Sequence, residues 1–474
     1  MKLIKTDMVF MVGVFLINII VRLPFLNLPA NYDETNYLNG VSAIVEHKLN
    51  PFTYFWGYKP PVLFEPVAVA WSIFGESLGW ARIYVNFLSS LALVYVYLLA
   101  KLLFGRKAAV FSVLILFFLP LFMVQSLVYQ DAVALTAFFL MTLYYFFRKD
   151  YVKYLISAIL MVLTKEVAVF IPVFLFLFNI INQGFSFKKV TRSLKYVFPL
   201  VFFGIWICLN KLYLGWFVWP FNVEIMNFSK FFETGFEYYI YDVFLSDKLG
   251  LYFSVILAGW LVLNRLADRR AKKINQITVL FVLTFIFYFY FCFLVGSLTR
   301  YILFGYVLIL ILLVYNITVL FKKRMVSGIL ILILLILIIS NVFSVMFKYD
   351  FKNGDRDLRL FSNVWLNRET IDYVTKNYTN PVLVTVWPMT NFLDLPKFGY
   401  VKTGFEDIET VECHQTVDIK SYKEKYPNRK IVVVSPLNLC DGRDIGAYTD
   451  LKIVKTLEFK IINKVHEPVY IYEE

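Results

Sequence analysis

Met8-Val-Phe-Met-Val-Gly-Val-Phe-Leu-Ile-Asn-Ile-Ile-Val-Arg22-Leu-Pro-Phe-Leu26 is an apolar run interrupted by one amide, Asn18, and one cation, Arg22, and the polar stretch Tyr32-Asp-Glu-Thr-Asn-Tyr37 follows it almost at once. An α-helical membrane span needs about 20 apolar residues, with about 17 to 25 tolerated. Residues 8–26 meet that length, and comparable runs recur along the chain at 82–103, 108–125, 131–147, 152–164, 167–181, 196–214, 249–264, 277–295, 301–320 and 326–346. Composition agrees. The 474 residues are 59% hydrophobic and 19% aromatic, with a mean hydropathy of +0.66. Soluble domains hold about 45–50% apolar residues, so lipid must solvate part of this surface. The sequence therefore predicts a polytopic α-helical membrane protein with about eleven transmembrane helices.

The start of the chain superficially resembles a signal peptide, but it has no small-residue cleavage site and Arg22-Leu-Pro24 follows the apolar run, so it reads as a retained first span. A further run, 61–75, is short and contains Glu65 and Pro66. Counted as a span, it would invert every later loop. Read as an interfacial helix in the first outer loop, 27–81, it leaves all the dense basic clusters on one side. Those clusters are Lys2/Lys5, Lys101/Arg106/Lys107, Arg148/Lys149/Lys153, Lys188/Lys189/Arg192/Lys195, Arg265 to Lys273 and Lys322/Lys323/Arg324. That distribution predicts a cytoplasmic N-terminus. It also accounts for the formal charge of +13 without nucleic acid as a partner. Residues 152–181 read as one long helix or as two short ones broken at Thr164-Lys165-Glu166; the charge rule favours the break.

An odd number of spans sends residues 348–474 outside, as a separate unit from the membrane domain 1–347. A polar helical stretch near Asn367 to Tyr378 and strand-like runs at Val382 to Val386, Lys430 to Ser435 and Glu467 to Tyr472 predict an extracytoplasmic α/β domain. Cys413 and Cys440 in this tail are either a disulfide or two free thiols. The sequons at Asn227 and Asn377 lie on the predicted outer side, which is compatible with glycosylation and no more specific than that.

Charge at membrane depth is costly, about 2.5–3.5 kcal/mol per residue on insertion scales, so charged residues at span ends need a reason. Asp33, Glu34, Lys59, Glu65, Arg82, Asp131, Lys165, Glu166 and Arg300 all fall at outer helix ends or in outer loops. Their convergence predicts one polar cavity open to the outer surface. Carboxylates mixed with cations suit a general base and a stabilised anionic leaving group, and a phosphate leaving group fits Lys and Arg. Plainer readings exist for several of them. Arg82 at a helix start can snorkel, Lys165-Glu166 can mark a turn, Glu65 can face headgroups, and Trp56, Tyr58, Trp71 and Trp80 can anchor at the interface.

After Tyr32-Asp-Glu-Thr-Asn-Tyr37 come Gly57-Tyr-Lys-Pro-Pro-Val-Leu63, Phe74-Gly-Glu76, Trp80-Ala-Arg-Ile83, Tyr129-Gln-Asp-Ala132, Leu163-Thr-Lys-Glu166 and Thr299-Arg-Tyr-Ile-Leu303. In order and spacing these resemble the C-type (GT-C) membrane glycosyltransferases of the protein O-mannosyltransferase and aminoarabinose-transferase kind. The match covers residues 1 to about 320; the tail is only broadly similar. The resemblance implies a glycosyltransferase that moves a sugar, mannose or another hexose or a pentose, from a polyprenyl- or dolichyl-phosphate carrier to an exported protein, lipid or glycan, with inversion. It makes Asp33 the base or acceptor-binding group, with Glu34 as its support in the catalytic pair, Lys59 and Arg300 the donor-phosphate ligands, and Asp131 a structural or acceptor-binding residue. Beside these, Arg82 is expected as a further donor-phosphate ligand, and Tyr58, Glu65 and Lys165 as acceptor- or sugar-binding residues. No cofactor and no metal are expected: the three His, at 47, 414 and 466, have no zinc-type spacing with Cys, though Asp33, Glu34 and Asp131 are the set a divalent ion would use. The expected location is the cell membrane, or the endoplasmic reticulum membrane in a eukaryote. The alternatives are a transporter, which lacks the expected internal repeats here, and a non-catalytic partner in cell-surface glycan assembly.

Overall fold

The computed structural model describes residues 5–52, 59–183, 185–217, 276–282, 284, 299–320, 329, 332, 336, 359–413, 415, 417–437, 444–447, 449–458, 460–461, 464–465 and 468–473. The expected spans 249–264 and most of 277–295 and 326–346, the sequon at Asn227, and Cys440 lie outside these residues. Cys413 is in a disulfide.

Up to Leu320 the described residues are mainly helical. Helix α1 (Lys5–Arg22) leads by a short turn into α2 (Glu34–Glu46), then α3 (Glu65–Phe74) and the long α4 (Leu78–Phe104). There follow α5 (Arg106–Phe118), α6 (Pro120–Gln125), α7 (Asp131–Arg148), α8 (Tyr151–Val162), α9 (Phe170–Gln183), α10 (Phe187–Ser193), α11 (Pro199–Leu214) and α12 (Leu303–Leu320). Among the described residues four helices are long and apolar enough to cross a bilayer: Lys5–Phe25, Leu78–Phe104, Asp131–Arg148 and Glu166–Gln183. A pair bent by 54°, Phe187–Tyr196 with Pro199–Leu214, makes a fifth if it is one span.

Two local features set where the helices stop. The expected span 108–125 is broken at Leu119, which is extended (φ −66°, ψ 121°) because Pro120 follows it, and Pro disfavours helical geometry in its predecessor. Residues 152–181 form two helices: α8 ends at Val162, Lys165 is extended (φ −156°, ψ 139°), and a short turn at Glu166–Val169 begins α9. The interfacial run 61–75 is helical as α3, with Pro66 in its first turn, where a missing N–H costs nothing.

Helix α1 is inverted relative to a soluble helix. Met8, Val9, Val12, Leu16, Ile17 and Ile20 are exposed, while Asp7, Asn18 and Arg22 are buried. Apolar groups can face lipid at no cost, whereas polar ones need partners inside the bundle. Asn18 Nδ2 donates to Ser89 Oγ (2.7 Å), Ser90 Oγ (2.9 Å) and Asn86 Oδ1 (3.3 Å) on α4. Asp7 is ion-paired with Lys101 and Arg106.

The C-terminal part is α/β. Helix α13 (Arg359–Asn377) precedes strands β1 (Val382–Thr385), β2 (Ile408–Thr410), β3 (Ile431–Pro436), β4 (Lys452–Leu457), β5 (Lys460–Ile461), β6 (Lys464–Val465) and β7 (Val469–Glu473), with α14 (Met389–Asp394) and α15 (Ile419–Lys425) between strands. Five strands form one sheet in the order β2-β1-β3-β7-β4, with β1 parallel to β2 and β3, and β7 antiparallel to β3 and β4; β5 and β6 pair separately. The central strands β1 and β3 are buried throughout, so they open as unbroken Val/Ile/Leu runs, Val382 to Val384 and Ile431 to Val434. This sheet rests on the membrane part through residues 387–400. Ala30 N–H donates to Phe398 O (2.8 Å), Tyr400 Oη donates to Ala30 O (3.0 Å), and Lys397 Nζ donates to Ser42 Oγ (2.7 Å). Gly399, at φ +83°, brings its backbone against Pro29, where an added Cβ would stand 3.4 Å from Pro29 Cα. A single apolar cluster runs from Ala30 and Tyr37 through the helices to Val469 and Ile471.

Candidate active site

Helix α2 begins at the Asp33-Glu34 pair, and its geometry sends the two carboxylates to different partners. Asp33 is the N-cap residue, where a carboxylate ordinarily accepts from the first helical N–H groups. Here it makes no such bond; Oδ2 is ion-paired with Arg300 Nη2. Arg300 is only 3% exposed, whereas Asp33 keeps 21% of its side chain open. Tyr32 holds φ at +30°, a left-handed conformation rare for a bulky residue and recurrent at functional sites. Its ring meets the edge of Trp387 from the C-terminal part, with centroids 4.7 Å apart.

Glu34 points inward and is fully buried. Its Oε1 accepts from Arg82 Nε (3.1 Å) and the Tyr129 backbone N–H (2.7 Å), and its Oε2 from Arg82 Nη2 (2.8 Å) and the Asn31 backbone N–H (3.1 Å). Arg82 gives its remaining donors to the carbonyls of Phe25 (3.1 Å), Leu26 (3.4 Å), Leu28 and Pro29 (3.3 Å). The pair is bidentate, dry and saturated. The expectation that Arg82 binds donor phosphate meets this obstacle: at 1% exposure it has no donor left to offer. Glu34 likewise has no open face toward a substrate.

The other charged residues form a linked circuit. Tyr37, one turn after Asp33 on α2, donates from Oη to Asp131 Oδ2 (2.9 Å) at the start of α7. Asp131 also holds Lys165 Nζ, at 3.1 Å from Oδ1 and 3.0 Å from Oδ2. Lys165 Nζ stands 3.4 Å from the Tyr301 ring centroid, over which the Arg300 guanidinium also lies at 5.3 Å. Lys59 Nζ sits 3.7 Å from the Tyr37 ring centroid, and these contacts are at cation–π range. The circuit thus runs Lys59, Tyr37, Asp131, Lys165, Tyr301, Arg300, Asp33.

Electrostatics follow from this geometry. Burial lowers the Lys59 ammonium to about 8, against a partial counter-pull from Asp131. Burial also acts to discharge Lys165, but Asp131 beside it more than reverses that, and Lys165 titrates above the ordinary lysine range. Burial, then the Asp131 carboxylate, push the Tyr37 phenol well up, so it remains a neutral donor.

The structure therefore brings together Asp33, Lys59, Asp131, Lys165 and Arg300. Glu65 opens α3 elsewhere: it is half-buried, its Oε1 has no hydrogen-bond partner among the described residues, and burial raises its pKa. Tyr58 lies outside the described residues. Two residues had no assigned role in the sequence, Tyr37 and Tyr301. Tyr37 was legible in principle, because a residue four places after Asp33 on a helix shares its face. Among the described residues no three His, Cys, Asp or Glu side chains gather as a metal set.

The helical layout with its C-terminal α/β part is similar to known structures. ArnT from Cupriavidus metallidurans bound to undecaprenyl phosphate superposes with a TM-score of 0.56 at 14% identity, over 98% of this chain and 97% of that one. Its apo form gives 0.56 at 15% identity over the same shares. The oligosaccharyltransferase of Archaeoglobus fulgidus gives 0.51 at 13% identity, over 90% of this chain and 68% of that one. At sequence level, the family described as dolichyl-phosphate-mannose-protein mannosyltransferase matches residues 58–209. No curated protein sequence matches the chain. The likeness to these structures extends to the fold, and the likeness to the mannosyltransferase family extends to residues 58–209.

Proposed function

We propose that this protein transfers a sugar from a polyprenyl- or dolichyl-phosphate carrier to a hydroxyl of an exported acceptor at the outer face of the membrane, with inversion at the anomeric carbon. The observation that carries this reading is the pairing of a partly open carboxylate, Asp33, with a buried guanidinium, Arg300, beside a second group of cations. Asp33 takes the proton from the acceptor hydroxyl as its oxygen attacks the anomeric carbon. The bond from that carbon to the phosphate oxygen breaks, and its electron pair leaves with the phosphate. One base suffices for a single displacement. Arg300 and Lys59 stabilise the departing lipid phosphate, so no separate acid is needed. Asp131 and Lys165, farther along the circuit from Asp33, line the sugar or acceptor. Glu34 and Arg82 hold the loop that carries Asp33. The two chain parts, 1–347 and 348–474, act as a membrane catalytic unit and an outer unit that helps seat the acceptor. Undecaprenyl phosphate in the ArnT structure supports the carrier class.

The test supplies purified protein in lipid nanodiscs with radiolabelled polyprenyl-phosphate sugars and follows carrier release or transfer. Release by the wild type and its loss in Asp33→Asn are expected. Full turnover by Asp33→Asn would remove Asp33 from the mechanism.

A further inference from the structure

Within the site, each cation has a different degree of commitment. Arg82 is saturated by Glu34 and four carbonyls, and Lys165 is held by both oxygens of Asp131. Lys59 rests on an aromatic face. Among these cations Arg300 is the one that shares its charge with the residue proposed as the base.

Resting on the glycosyl-transfer reading above, we propose that Arg300 is an exchangeable ligand: in the empty enzyme it is held by Asp33, and in the reacting complex by the carrier phosphate. The exchange follows the charges of the reaction. A polyprenyl-phosphate sugar is a diester with one negative charge, and the departing carrier is a monoester with more. As the acceptor O–H gives its proton to Asp33, the carboxylate becomes a neutral acid and loses its claim on the guanidinium. In the same step the sugar–phosphate C–O bond breaks and negative charge grows on the phosphate oxygen, which takes the claim over. Proton uptake at one end and charge growth at the other are coupled through one guanidinium. The proton leaves Asp33 for solvent once carrier and product depart, and the ion pair reforms.

The geometry favours this use of Arg300. The guanidinium is 3% exposed and lies over the Tyr301 ring, which steadies its plane while its partner changes, and Asp33 is the more open member of the pair. Binding linkage makes the idea quantitative. Two ligands that compete for one group weaken each other by the same factor, typically about 5- to 150-fold for coupled sites. Removing the Asp33 charge must therefore strengthen carrier phosphate binding.

The experiment measures binding of a short-chain polyprenyl phosphate without sugar to purified wild type, Asp33→Asn, Asp33→Ala, Arg300→Gln and the Asp33→Asn/Arg300→Gln double variant. Thermal midpoints of the apo proteins certify folding. Both Asp33 variants are expected to bind at least about fivefold more tightly than wild type. Arg300→Gln binds more weakly, and the double variant binds like Arg300→Gln. Equal or weaker binding by the Asp33 variants overturns the exchange. A gain that persists in the double variant also overturns it, because relief of charge repulsion would then explain the effect without Arg300. If no variant, wild type included, binds the carrier, the glycosyl-transfer reading falls and the exchange with it.

Discussion

Glu34 and Asp33 are chain neighbours at the start of one helix, and their surroundings differ in almost every respect. Glu34 is buried, bidentate to Arg82 and bonded to two backbone N–H groups. Asp33 keeps an open edge and is ion-paired with Arg300, which lies 267 residues away in the chain. Both sites combine a carboxylate with an arginine, so residue type does not separate them; the exposure of the carboxylate does. A dry, bidentate pair resists change and serves as a fastening. A pair whose carboxylate is partly open can trade partners, as the proposed chemistry requires.

That contrast can be broken or sharpened by experiment. Asp33→Asn should lower turnover by about 10²- to 10⁴-fold, the span of general-base contributions, measured by carrier release in nanodiscs. Its thermal midpoint should fall less than that of Glu34→Gln; the reverse order would erase the distinction between the two carboxylates. Glu34→Gln should cost about 3–5 kcal/mol of stability, because it strands the buried Arg82 charge, and unfolding by heat or denaturing detergent reads this. Lys59 sharpens the electrostatic side. Its proton is lost as pH rises through about 8, and on the proposed function the carrier phosphate binds the protonated form. The donor concentration for half-maximal rate should therefore be flat below that pH and climb toward tenfold per pH unit above it. Lys59→Arg should abolish the climb. The smallest effect belongs to Tyr37→Phe, which removes one hydrogen bond to Asp131 and should lower kcat/KM by about two- to tenfold, as a bond worth about 0.5–1.5 kcal/mol implies.

Much of this was legible in the residues. Charge costs at membrane depth singled out Asp33, Lys59, Asp131, Lys165 and Arg300, and positive-inside counting favoured the break at Thr164 to Glu166 that the backbone displays at Lys165. The buried strands β1 and β3 were visible as Val-rich runs, and β7 largely so. What escaped has physical causes. Arg82 and Glu34 are 48 residues apart, and nothing local says that a span-end arginine will be consumed by carbonyls and a carboxylate. The edge strand β4, with Lys452 and Lys455 exposed, lacks an apolar signature because few of its side chains enter a core. Strand β2 is three residues long, below any useful period. Helix α13 starts at Arg359, earlier than its polar portion suggests, because its first turns carry Leu360 and Val364 into the shared core.

The grip of Arg82 on the carbonyls of residues 25–29 ties the exit of α1 to the first turn of α4. In the membrane orientation proposed above, this holds Asp33, a few residues on, at one height above the hydrocarbon. A lipid-linked donor of the proposed class also presents its phosphate at a height fixed by the bilayer. On that proposal, alignment of Asp33 and the anomeric carbon becomes partly a matter of membrane thickness, with the protein as one ruler and the lipid as the other. Reconstitution across a series of acyl-chain lengths should give a rate maximum at one thickness, falling on both sides as mismatch grows. A rate indifferent to thickness would show that the carrier, rather than the protein, makes the adjustment.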